Sequence, residues 1–194
     1  MVCFCQYGKT TKYDILKYME TKTISEQSLS IINQYKNFTV SQAICSVPYF
    51  NNDHKKSRGS LAVHVGKGSP KEIMEEVENI LIKEKINKNS LDSTSLKKLL
   101  VDNNLGIDCS GFIYHVLGKK NIKPAQTKNQ AKNIFSKIRA SLSPAKNIDV
   151  RSFADNANSK VVSLKDVKLG DIITMIGERN HIVLIYKIDY ENFL

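Results

Sequence analysis

The chain has 194 residues, 41% of them hydrophobic, and a formal net charge of +10. That length suits one domain, or one domain with an N-terminal extension, and the apolar content suits a packed core rather than a disordered chain. There is no run of 18 apolar residues, so no membrane-spanning helix is expected; the first twenty residues carry Lys9, Lys12 and Lys17 without an apolar stretch, unlike a secretory signal.

The positive charge admits two readings, an acidic partner or codon usage. Only four of the 29 basic residues are Arg, and Lys, Asn and Ile, which share A/T-rich codons, are abundant together. Phosphate clamps and base readers favour Arg, and the basic residues are scattered, so nucleic acid is not the expected partner. Cys3, Cys5, Cys45 and Cys109 are too few for a disulfide framework in a chain of this length. Cys3 and Cys5 lack a second close Cys pair to complete a metal site, so free thiols and no metal or cofactor are expected.

In chain order, residues 25–38 read as a helix, with Leu29, Ile32 and Tyr35 at helical spacing and Ser25 as N-cap. Residues 61–65 (LAVHV) read as a short strand. Ser69-Pro70-Lys71-Glu72 is a capping box with proline at the first helical position, opening a helix to about Lys85. The preceding Gly66-Lys67-Gly68 resembles a phosphate-binding loop only superficially, because glycine separates Lys from Ser and no upstream glycine fits. Further helices are expected over 94–102, from Cys109 to near Gly118, and over 126–140. Lys160–Leu164, Asp171–Ile176 and His181–Ile188 are rich in β-branched residues and read as strands, the last two joined by a turn at 177–180. Helices first and sheet last make an α+β fold.

Chemistry concentrates at Gly106-Ile107-Asp108-Cys109-Ser110-Gly111-Phe112. Asp108 is a good N-cap, which puts Cys109 in the first helical turn, where unpaired N–H groups and the helix dipole favour a thiolate. Cys109, Phe112, Ile113, Val116 and Leu117 share one face, so the thiol ends the stripe that packs on the sheet, and Gly111 permits close backbone approach. Taken alone, a cysteine on such a face reads as structural; the cap, the helix start and the flanking Ser and Gly favour a nucleophile. His181 opens a strand apolar on both faces, hence expected to be central, and points the same way as Val183 and Ile185. If that face meets the Cys109 helix, the imidazole reaches the thiol as a base must. His115 lies six residues along the Cys109 helix and points away from the thiol; His54 falls in a charged loop and His64 on the short strand.

Asp108 to Phe112, then Gly170-Asp171 before a strand, then His181 opening the next strand, together resemble the NlpC-type family of papain-like cysteine peptidases and amidases. Val47-Pro48-Tyr49 resembles the family's upstream Pro-Tyr, and residues 124–131 sit where the family has a Thr- and Gln-containing loop. The resemblance spans about residues 44–188. It implies a papain-like fold with the nucleophile helix packed on a C-terminal antiparallel sheet, residues 1–43 forming a helical extension and 52–104 an insertion. It implies a hydrolase of bacterial cell-wall stem peptides, with Cys109 as nucleophile, His181 as base, and the Cys109 N–H and Tyr49 hydroxyl stabilising the oxyanion. Asp108 and Ser110 match family positions that help hold a free substrate amine, a use that competes with capping for Asp108. The family's third polar residue, which orients the imidazole, has no match; Asn192 is nearest and poorly in register, so the chain is expected to stop before it. The Trp-Gly-Gly that often follows the family's Tyr is here Phe50-Asn51-Asn52. With no secretory signal seen, the protein is expected to be cytoplasmic or released, and a wall substrate would require lysis, phage-type export or a missing N-terminus. The alternatives are a catalytically weak or inactive binding module on the same fold and, further off, a basic nucleic-acid-associated protein.

Overall fold

Local capping chemistry sets the helices. In the computed structural model, which describes residues 22–50, 61–118, 122 and 144–188, five α-helices are each opened by a Ser or Asp side chain that accepts from a backbone N–H. They are α1 (Glu26–Lys36), α2 (Pro70–Lys83), α3 (Ser93–Asp102), α4 (Cys109–Leu117) and α5 (Val150–Ala154). The Ser69–Glu72 box at α2 forms as its sequence predicts: Ser69 Oγ accepts from the Glu72 N–H, and Glu72 accepts from the Ser69 N–H at 2.7 Å. α4 runs from the Asp108 cap to Gly118, whose φ of +57° ends it in the left-handed conformation.

The strands are short and pair two by two, all antiparallel. They are β1 (Lys22–Thr23), β2 (Phe38–Val40), β3 (Ala43–Cys45), β4 (Ile172–Met175), β5 (His181–Leu184) and β6 (Lys187–Ile188). β1 pairs with β6, β2 with β3, and β4 with β5 in a hairpin registering Ile172 with Leu184 and Met175 with His181. The described residues are therefore α+β with small antiparallel sheets.

Three expected strands come out differently. Residues 61–65 form a 3-10 turn, Ala62–Val65, which buries Val63 and Val65 while meeting its backbone needs locally, His64 N–H to the Leu61 carbonyl and Lys67 N–H to that of Ala62. Residues 160–163 find no partner strand among the described residues, and Val161 is 87% exposed; the chain then turns through a 3-10 segment, Leu164–Asp166. The run 181–188 splits, its first half pairing with β4 and its last two residues with β1. The expected helix over 126–140 lies outside the described residues.

Two apolar cores result among the described residues. The larger joins Tyr35, Phe38 and Val40 to Ile73, Val77, Leu96, Leu100 and Leu105, the last five essentially sealed from water. Burying such a side chain fully contributes about 1.5–3 kcal/mol. The boundary expected after residue 43 falls inside β2–β3, where Val40 faces Ala43, and the helices of the expected insertion supply much of this core. Residues of the 26–43 and 61–105 stretches thus share one apolar core. The smaller core joins Ile113 and Val116 of α4 to Ile148, Val150, Phe153, Ile182 and Leu184. α4 lies between the two, with Phe112 packed on both. No helix among the described residues is long and apolar enough to cross a membrane.

Candidate active site at the start of the Cys109 helix

Three backbone segments converge where α4 begins. Residues 48–50 run parallel to 106–108: the Ile107 N–H donates to the Pro48 carbonyl at 3.0 Å and the Phe50 N–H to the Ile107 carbonyl at 3.1 Å. On the other side Lys67 bridges antiparallel to Ile107, and the Asp108 N–H donates to the Gly66 carbonyl at 2.9 Å. Tyr49 is thereby set beside Ile107, two residues from Cys109, with its side chain mostly exposed. Sequence likeness alone suggested Tyr49; the backbone pairing sets it beside Ile107.

Glycine makes the convergence possible. A Cβ at Gly111 would lie 2.5 Å from the Gly66 carbonyl oxygen, closer than real side chains approach. Gly66 itself has φ +72°, and a Cβ there would meet the Phe50 carbonyl at 2.9 Å.

Cys109 is the first residue of α4 and a partly exposed free thiol. Its N–H is among the four that a helix start leaves without an intrahelical acceptor. Asp108 caps the helix, its Oδ1 accepting from the Gly111 N–H at 2.6 Å and from the Ser110 hydroxyl at 3.1 Å. The remaining partner of Asp108 was not foreseen. Lys67, only 7% exposed, donates from Nζ to Asp108 Oδ1 at 2.9 Å, lies 2.8 Å from Oδ2, and also donates to Ser110 Oγ. The two residues flanking the thiol, expected to face substrate, are both engaged by an internal ammonium. No local signal in the sequence marks Lys67, because its acceptors lie 41 and 43 residues away.

His181 departs from its expected orientation. β5 does pack on α4, but through Ile182 and Leu184, which are buried with Ile113 and Val116, the partly exposed Cys109 packing against that cluster. His181 and Val183 point to the opposite, exposed face, with Ile173 and Met175 of β4 beside them. Since alternate side chains take opposite faces, the face that meets α4 is one residue out of step with the expectation. Nor is β5 central: among the described residues it pairs with β4 alone. No hydrogen bond joins Cys109 and His181 among the described residues, and Asn192 lies outside them.

The other two described histidines are otherwise engaged, and His54 lies outside the described residues. His115 Nε2 sits 2.9 Å from the Lys67 carbonyl, which can only accept, so Nε2 carries the proton; Tyr35 and Tyr114 pack on the ring. Burial holds this imidazole below its ordinary value, opposed by the Lys67 carbonyl and Glu72. His64 lies 3.5 Å from Glu76. Tyr35 donates to the Gly68 carbonyl at 2.9 Å, and burial, with Glu72 and Asp108 near, pushes its hydroxyl far above the usual phenol range.

No family model matches the chain, and neither a curated protein nor a solved structure matches it.

Proposed function

We propose that the chain is a cysteine hydrolase of amide bonds, with Cys109 as nucleophile and His181 as base, acting on peptides of the bacterial cell-wall type. What chiefly supports the reading is the start of α4, where a partly exposed thiol occupies the first turn of an Asp-capped helix with the Pro48–Phe50 segment hydrogen-bonded alongside. Free N–H groups at a helix start favour a thiolate and can receive a developing oxyanion. In the proposed reaction the thiolate attacks the carbonyl carbon, the imidazolium protonates the departing amine, and water hydrolyses the thioester. The His181 ring must then turn over the end of β5 toward the thiol, because the strand's packed face carries Ile182 and Leu184 instead.

That orientation favours a second reading, a binding module on the same fold without catalysis. Iodoacetamide labelling at pH 6–7, mapped by mass, separates the two. The hydrolase reading expects Cys109 to label about tenfold or more faster than Cys45, whose thiol is pushed up by burial, and expects His181→Gln to slow it. It also expects amine release from a wall-derived peptide, lost in Cys109→Ala. Equal labelling of the two thiols, no effect of His181→Gln and no release would leave the binding module.

A further inference from the structure

Lysine is rarely buried unless paired, and the chain spends one beside its candidate nucleophile. Lys67 is tied there at every polar atom that faces α4. Its ammonium donates to Asp108 Oδ1 and Ser110 Oγ and lies 2.8 Å from Asp108 Oδ2. Its backbone bridges to Ile107, and its carbonyl accepts from His115 Nε2. One residue thus spans positions 107 to 115, with contacts on both sides of Cys109.

We infer that Lys67 is a positioning residue for Cys109, its ammonium neutralising Asp108 and clamping the 66–68 loop across the first turn of α4. The functional meaning rests on Cys109 being the nucleophile. With the ammonium in place the thiolate forms beside a balanced pair. Without it the thiolate would form next in sequence to a lone carboxylate, and a nearby like charge disfavours a second anion. Because the ammonium is buried and paired internally, Lys67 acts on Cys109 through its neighbours.

Other titratable groups sit on elements packed against α4 or beside its start. They are Glu26, Tyr35 and Lys36 on α1, Tyr49 on the 48–50 segment, Lys146 in the 3-10 turn Pro144–Asn147, and His181 on the far face of β5. α4 itself carries Tyr114 and His115. All of these are the same in every variant compared below.

The test is the pH profile of Cys109 labelling by iodoacetamide, read on the Cys109 peptide alone, in five chains: natural, Lys67→Met, Lys67→Arg, Asp108→Asn and the double variant of Lys67→Met with Asp108→Asn. Asp108→Asn keeps both a helix cap and an acceptor for the ammonium. At pH 6.5 Lys67→Met is expected to label about tenfold more slowly than the natural chain, equivalent to a shift of about one pH unit. The double variant, which removes both charges, is expected to label like the natural chain, and Asp108→Asn to label fastest. If Lys67→Met does not fold, the contrast between Asp108→Asn and the double variant carries the same charge difference and is expected to be about tenfold. Lys67→Arg is expected to recover much of the Lys67→Met loss. Profiles that coincide within twofold, or a Lys67→Met chain that labels faster, would overturn the inference. Failure of the hydrolase reading looks different: Cys109 then labels no faster than Cys45 in the natural chain, while the ranking among variants is unaffected.

Discussion

Removing the carboxylate of Asp108 does two separable things, and their sizes make a sharp prediction. Asp108→Ala deletes the helix cap, which costs about 1 kcal/mol at a typical N-cap. It also strands the Lys67 ammonium, whose side chain is only 8% exposed against 18% for Asp108. Breaking one side of a buried pair costs about 3–5 kcal/mol; partial exposure of Asp108 and the surviving Ser110 contact place this case near the lower end, about 3 kcal/mol. The sum is about 4 kcal/mol, a large part of the 5–15 kcal/mol that holds a domain together. Ser69→Ala is the control: it deletes a cap of the same geometry on α2 with no buried cation behind it, and about 1 kcal/mol is expected. With a urea slope of about 2 kcal/mol per molar, the midpoints should fall by about 2 M and about 0.5 M respectively. Lys67→Met should cost less than Asp108→Ala, since Asp108 keeps the Gly111 N–H and the Ser110 hydroxyl. Equal midpoint shifts for Asp108→Ala and Ser69→Ala would refute the claim that the ammonium depends on Asp108.

Gly111→Ala should gain about 1 kcal/mol of helix propensity and lose about 1–3 kcal/mol to overpacking against the Gly66 carbonyl, so a net loss in urea stability is expected; a gain would show that the loop yields. His115 supplies a pH dependence with a definite sign. Its native value lies below its unfolded one, so the unfolded chain binds the extra proton first. Its contribution to stability is therefore whole above the ordinary histidine value of about 6.5 and is lost as pH falls from there toward the depressed native value. Urea midpoints between pH 7.5 and 5.5 should show this fall, and His115→Gln should reduce it; an unchanged slope in the variant would assign the dependence to other groups.

What could be read from the sequence was whatever is settled within four residues. Ser25, Ser69 and Asp108 announced their helices because a cap is a bond between a side chain and a backbone N–H three positions on, needing no tertiary partner. The same holds for Cys109 at the start of α4, and for the hairpin of β4 and β5 around residues 177–180. Strand faces are a different problem. His181-Ile182-Val183-Leu184-Ile185 is apolar at both parities after its first residue, and Ile172-Ile173-Thr174-Met175 opposite it gives almost no polar reference either. With no alternation to read, register belongs to the partner: α4 presents Cys109, Phe112, Ile113 and Val116, and Ile182 and Leu184 settle there, leaving His181 on the other side. Lys67 was unreadable for the complementary reason. Its acceptors lie 41 and 43 residues away, and between two glycines a lysine looks like part of an exposed turn. Only when Gly66 and Gly111 let two backbones close to contact does the same triplet become a buried ion pair. The place of Cys109 at a capped helix start was therefore legible from its own turn of helix. Its electrostatic surroundings were not, because they are assembled by close approach between segments that carry no local mark of each other.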